Sequence, residues 1–243
     1  MSAPTVFLAA LVTALATGLG ALPFLLVHRP PRAWIGLANA LAAGFMIGAS
    51  VGLVVEGASR GAGLTALGVL SGAGFVGLTS QFFGRRRELH IGSFRGADAR
   101  QALLIVGVMT IHSFSEGVGV GVAFGDGQAL GLLIAAAIAI HNIPEGLAIS
   151  LVLVPRGASV AQAAGWSIFS SLPQPLMAVP AFLFVESFAK ALPVGLGFAA
   201  GAMVWLASRE LLPAAIRAAR PAAAIGVAGL AAAIMFGLQL VVL

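Results

Sequence analysis

Two short runs carry residues able to hold a metal ion. The first is Ile111-His112-Ser113-Phe114-Ser115-Glu116-Gly117-Val118, and the second is Ile140-His141-Asn142-Ile143-Pro144-Glu145-Gly146-Leu147. Each sets a His and a Glu four residues apart, and on a helix that spacing brings both side chains to one face, one turn apart. Imidazole nitrogen and carboxylate oxygen together suit a divalent transition metal. The chain has only 4 His and 8 Asp plus Glu, so these runs hold half of its histidines and a quarter of its acids. His112, Glu116, His141 and Glu145 are therefore read as the ligands of one metal site.

Composition says what must position those ligands. The 243 residues are 60% hydrophobic and 9% charged, with a mean hydropathy of +1.06. Soluble domains carry about 25% charged residues. A protein core cannot absorb so much apolar surface, so lipid must solvate much of it. The 32 glycines suit close helix packing in a bilayer. With no cysteine, disulfides, thiolate metal sites and cysteine nucleophiles are excluded. The pI near 11.5 does not point to nucleic acid, because the basic residues sit in short loops where membrane topology accounts for them.

A transmembrane helix needs about 20 apolar residues. Eight stretches qualify: Pro4–Val27, Ala33–Val55, Gly63–Phe83, Gln101–Phe124, Ala129–Val154, Val160–Val185, Ala191–Pro213 and Ala222–Val242. Spanning helices satisfy their own backbone hydrogen bonds, so the expected fold is an all-α integral membrane bundle. It forms one transmembrane domain over residues 1–243. The first stretch lacks a basic flank and a small-residue cleavage site, and is read as a retained helix. Loops after the odd-numbered stretches hold 11 of the 13 basic residues, among them Arg29, Arg85, Arg86, Arg87, Arg95, Arg100 and Arg156. The other side has Arg60 and Lys190. That asymmetry places both termini outside the cytoplasm and makes residues 84–100 a short cytoplasmic loop.

The two metal runs then fall near the centres of the fourth and fifth stretches, which the turn Gly125-Asp126-Gly127 joins as an antiparallel hairpin. An unpaired charge at that depth costs about 2.5–3.5 kcal/mol on insertion scales, a cost that cation binding offsets. Two His–Glu hydrogen bonds without metal are the plainer reading, but they leave the repetition at matched depth unexplained. Pro144 withholds a donor from the carbonyl of Ile140, which either opens the helix beside a polar cavity or simply kinks it. Gly117, Gly119 and Gly121 are read as close helix contacts.

His-x-x-x-Glu-Gly followed by His141-Asn142-Ile143-Pro144-Glu145-Gly146-Leu147-Ala148 resembles the ZIP family of divalent-metal transporters over essentially the full length. His112-Ser113-Phe114-Ser115-Glu116-Gly117, with Ser171-Leu172-Pro173-Gln174-Pro175-Leu176 downstream, resembles a branch that includes a plant plastid zinc transporter. The resemblance implies a ZIP-like bundle of eight helices with both termini outside and a metal path between the second, fourth, fifth and seventh. It also implies homodimerisation and movement of one helix group against another. Many relatives hold two adjacent metals, using an Asn after the fourth-helix His and a Glu on the sixth helix. Ser113 and Gln174 stand at the matching positions here. One principal metal is therefore expected, with Asn142 and Gln174 as weak ligands or hydrogen-bonding neighbours.

Glu56 ends the second stretch on the outer side and Glu210 ends the seventh on the cytoplasmic side. Each is either a cation attractor at a mouth of the path or a charge that snorkels to the interface. Met46 is a soft ligand, a gate or plain core. His28, His90, Asp126 and Glu186 are read as loop or turn residues. The function expected is transport of Zn²⁺, with Fe²⁺, Mn²⁺ and Cd²⁺ as further substrates, toward the cytoplasm, without ATP or a prosthetic group. The competing reading is an integral-membrane metal-dependent hydrolase built on the same ligands. It lacks a His-Glu-x-x-His motif and a spare general base. The richness in Ala, Gly and Arg points to a bacterial cytoplasmic membrane.

Overall fold

The structure is a computed structural model that describes residues 1–27, 31–84 and 96–242. His28, Arg29, Arg85, Arg86, Arg87, His90 and Arg95 lie outside the described residues, as do the side chains of Arg100 and Glu186. Every regular element among the described residues is helical: α1 Ala3–Gly18, α2 Arg32–Gly84, α3 Gly96–Gly125, α4 Gln128–Leu153, α5 Val160–Ser171, α6 Pro173–Ser187, α7 Leu192–Leu206, α8 Leu212–Ala218 and α9 Pro221–Val242. A 3₁₀ segment, Leu19–Leu25, prolongs α1, and a π-helical turn, Ala207–Leu211, joins α7 to α8. Six spans built from these elements are long and apolar enough to cross a membrane.

The polarity of the bundle is inverted relative to a soluble protein. Leu70 and Leu78 of α2 are 72% and 70% exposed, whereas His112, Glu116, His141 and Asn142 are 0% exposed. Water would punish that arrangement, and hydrocarbon favours it. Helix association in lipid rests on close packing and interhelical hydrogen bonds, not on hydrophobic transfer. Both are visible here. The α2 and α7 backbones meet through Gly68, Gly72, Gly197 and Gly201. Thr17 and Ser171 join α1 to α5 by a hydroxyl pair 2.8 Å apart.

The structure refines one expected break and adds another. The second and third stretches are arms of α2, divided only at Gly61, whose φ of 170° and ψ of 87° leave the helical region. The sixth stretch is split instead: α5 stops at Ser171, and Pro173 opens α6. A proline at the first helical position gives up no hydrogen bond, so it starts a helix more easily than it continues one. Gln174 thereby lies at the start of α6, inside the bundle and 0% exposed. By contrast α4 runs unbroken through Pro144. Pro144 is buried within that continuous helix.

Candidate metal centre

Helices α3 and α4 carry the two metal runs, and the turn between them sets their register. Gly127 adopts φ 136°, a region that a side chain would disfavour, so the chain reverses within two residues. The hairpin brings His112, Glu116, His141 and Glu145 together, each with a ligand atom within 4.8 Å of the others. His112 Nε2 lies 2.9 Å from Glu116 Oε1 and 3.2 Å from Glu145 Oε1. His141 Nε2 also contacts Glu116 Oε1.

The contacts suit a convergent set of metal donors. Among the described residues His112 Nε2 makes no aligned hydrogen bond despite its proximity to two carboxylates, and Glu145 Oε1 likewise has no hydrogen-bond partner. A tetrahedral ion with bonds of about 2.0–2.2 Å holds its ligand atoms about 3.3 Å apart, close to the spacing around His112. Two carboxylates and two neutral imidazoles carry a charge of −2, which a divalent cation cancels. In a site with no exposed ligand, that balance decides what can be held.

Asn142 and Gln174 belong to the same cluster. Gln174 Nε2 donates to Glu116 Oε2, and Asn142 Nδ2 donates to Gln174 Oε1 at 3.1 Å and to the Thr13 carbonyl at 2.8 Å. Asn142 Oδ1 and Ser113 Oγ are buried without a hydrogen-bond partner among the described residues. Behind the ligands, α1 crosses α4 at minimal separation. A Cβ on Gly146 would meet the Thr17 carbonyl, with Thr17 C at 2.7 Å. A Cβ on Gly117 would approach Gln174 Cα to 2.8 Å, so the expected close contact of that glycine is with the start of α6.

Of the remaining candidates, Met46 is fully buried in the main apolar core, where its carbonyl accepts from Ser50. Glu210 is exposed on the π-helical turn after α7. Glu56 is paired: Arg60 donates to its Oε1 from Nε at 3.0 Å and from Nη2 at 2.8 Å, and also reaches Asp126 Oδ2 at 2.6 Å. Burial pushes the Asp126 carboxyl above its usual range, with Arg60 pulling the other way. These pairs put the bend of α2 and the α3–α4 turn at the same end of the molecule. Arg60 also holds the Glu56 carboxylate at this end of the molecule, away from the buried His/Glu cluster at the middle of the hairpin. Because such half-exposed pairs are worth about 0–1 kcal/mol, Glu56→Gln is expected to change the KM for zinc uptake by less than about twofold. A tenfold rise measured in vesicles would restore Glu56 to the path.

Sequence reasoning missed Thr13. The available signal was its polarity in an apolar helix, one turn before the similarly buried Thr17.

A sequence profile of the ZIP zinc transporter family matches residues 90–231, more than half of the chain. The chain belongs to the ZIP family. It is 48% identical over 242 residues to the Arabidopsis thaliana protein named "Putative zinc transporter At3g08650", an alignment covering 98% of this chain and 39% of that protein. It is 34% identical over 222 residues to the zinc transporter GufA of Myxococcus xanthus, covering 84% and 86% of the two chains. The zinc transporter ZIPB of Bordetella bronchiseptica is 32% identical over 118 residues, 48% of this chain and 38% of that one. The chain therefore spans well under half the length of the Arabidopsis relative and most of GufA. ZIP membership and the buried His/Glu cluster favour transport over the hydrolase reading.

Proposed function

We propose that this ZIP protein carries a divalent metal, foremost Zn²⁺, through the bilayer by way of the His112–Glu116–His141–Glu145 cluster. The observation that carries the reading is the convergence of four fully buried ligands, charged −2 in total, at the middle of an antiparallel helix hairpin. A hydrated dication arriving there exchanges water for two imidazole nitrogens and two carboxylate oxygens. Fe²⁺, Mn²⁺ and Cd²⁺ use the same ligands less well or in another geometry. Release follows when one ligand pair moves, since binding must select the ion and still let it go.

The bundle crosses the membrane eight times in this reading. The two arms of α2 on either side of Gly61, the 30-residue α3, and the α5–α6 pair support that count. The charge asymmetry of the loops supports termini outside the cytoplasm and uptake toward it, in the cytoplasmic membrane of a bacterium. Residues 1–243 act as one transport domain, with a second copy as partner. One ion occupies the cluster at a time, because Gln174 places an amide, not a carboxylate, against Glu116. Asn142 Oδ1 is a further neutral oxygen and serves as a weak ligand.

The test is uptake of radioactive zinc into proteoliposomes, with Fe²⁺, Mn²⁺ and Cd²⁺ as competitors, together with equilibrium dialysis. Saturable uptake and one zinc per chain are expected. Uptake no faster than in protein-free liposomes would end the transport reading, and two zinc ions per chain would end the single-ion reading.

A further inference from the structure

Glu116 has two oxygens, and they face different partners. Oε1 meets both histidines, while Oε2 accepts from the Gln174 amide nitrogen. A carboxylate only accepts, so the NH₂ group of Gln174 must be the end turned toward it. The amide oxygen then points back to α1 and α4. There Thr13 Oγ1 donates to it at 2.6 Å and Asn142 Nδ2 at 3.1 Å. The Thr13 hydroxyl has one hydrogen and a second acceptor in reach, the Ala10 carbonyl at 2.7 Å. Asn142 is itself held by the Thr13 carbonyl. The side chains of Thr13, Glu116, Asn142 and Gln174 are all buried.

We infer that Thr13 is a positioning residue for metal selectivity: by fixing the Gln174 amide, it ties up Glu116 Oε2 and leaves one carboxylate oxygen for the ion. The inference rests on the zinc site proposed above and concerns how many oxygens that site offers. With Oε2 engaged, Glu116 binds through Oε1 alone, and with one atom from each of the other three residues the cluster supplies four strong ligand atoms. Four ligands satisfy Zn²⁺, which is tetrahedral in closed protein sites. Mn²⁺ prefers six oxygen-rich ligands and gains most when a carboxylate binds through both oxygens. If the hydroxyl of Thr13 is lost, the Gln174 oxygen keeps only the longer 3.1 Å bond from Asn142, the amide is held less firmly against Oε2, and the preference for zinc over manganese narrows. Thr13 touches no metal in this scheme and acts only through Gln174.

The experiment compares KM for Zn²⁺ and Mn²⁺ uptake in proteoliposomes for wild type, Thr13→Val, Thr13→Ser, Gln174→Leu and the double variant Thr13→Val/Gln174→Leu. Thr13→Val is expected to lower the KM ratio of Mn²⁺ to Zn²⁺ about fivefold, as befits one lost hydrogen bond. Gln174→Leu should lower it as much or more, and the double variant no further than Gln174→Leu alone. Thr13→Ser, which keeps the donor, should retain the wild-type ratio. An unchanged ratio in Thr13→Val would overturn the inference, even with a reduced maximal rate, as would effects that multiply in the double variant. Thr13→Ala removes the same donor with less bulk and serves the comparison if the valine variant is not recovered folded. Wild-type zinc uptake in the same vesicles reports separately on the transport reading.

Discussion

Glu116→Ala should weaken zinc binding at least about a hundredfold, because it removes the carboxylate that both histidines share and strands buried polar partners. Glu116 Oε1 lies 2.9 Å from His112 Nε2, also contacts His141 Nε2, and its Oε2 holds Gln174. No neighbouring acid stands ready to replace it: Glu145 is already within 3.2 Å of His112, and Ser113 and Asn142 offer only neutral oxygens. With one carboxylate gone, a bound dication leaves the cluster with a net charge of +1 inside hydrocarbon, which is the larger part of the penalty. Equilibrium dialysis of purified protein measures the effect directly. Glu116→Gln separates charge from shape: it keeps the bulk and an oxygen, yet should lose nearly as much affinity.

The second large effect comes from a residue that touches no metal. Gly146→Ala places a methyl group on the Thr17 carbonyl at the crossing of α1 and α4, where backbone cannot yield as a flexible side chain does. Overpacking of this kind costs about 1–3 kcal/mol. The displacement falls between Glu145, the preceding residue, and the segment of α1 that carries Thr13. A shift of about 1 Å in a reacting group can cost about a hundredfold in rate, so uptake is expected to fall more steeply than stability. Gly165→Ala is the control, since no atom lies within 4 Å of its Cβ position. A thermal melt and an uptake assay on both variants check the pair. Equal, near-wild-type behaviour of both would show that α1 can move without disturbing the site.

The grouping of His112, Glu116, His141 and Glu145 was legible in the sequence because its signal is local. Two His–Glu pairs at helical spacing, in a chain with 4 histidines, define both the face and the depth once hydropathy marks the spans. The apolar stretches were legible for the same reason, since each is a continuous run. What was not legible depends on contacts between distant segments. Gln174 read as a weakened ligand, but in the structure its amide nitrogen faces Glu116 and its oxygen is held by Thr13 and Asn142. No spacing rule connects residue 13 to residue 174. Asp126 read as a turn residue and is also the partner of Arg60, a pairing that depends on where the bend of α2 falls. The bend falls inside the interval expected between Val55 and Gly63, but one non-helical residue, Gly61, suffices for it. Glycine, alanine and charged residues there permit either outcome, and packing of both arms against α7 and α9 decides it.

The view that emerges is of a cage whose ligands come from one hairpin and whose geometry is set by its neighbours. α6 supplies the amide that restrains Glu116, α1 supplies the hydroxyl that restrains the amide, and the Gly146 crossing keeps α1 in place. Selectivity and rate are then expected to respond to α1 and α6, while occupancy responds to α3 and α4. That division is open to experiment because its two parts have different readouts: KM ratios for the first, bound zinc for the second.

The measurement that bears most directly on the cage is the initial rate of radioactive zinc uptake into proteoliposomes holding wild type, His112→Ala or Glu145→Ala at matched protein content. His112 and Glu145 sit on different helices of the hairpin, so each variant removes one contribution to the cluster. Saturable uptake by wild type, with both variants at the level of protein-free vesicles, is the predicted result. Near-wild-type uptake by both variants would contradict it and move the metal path elsewhere in the bundle.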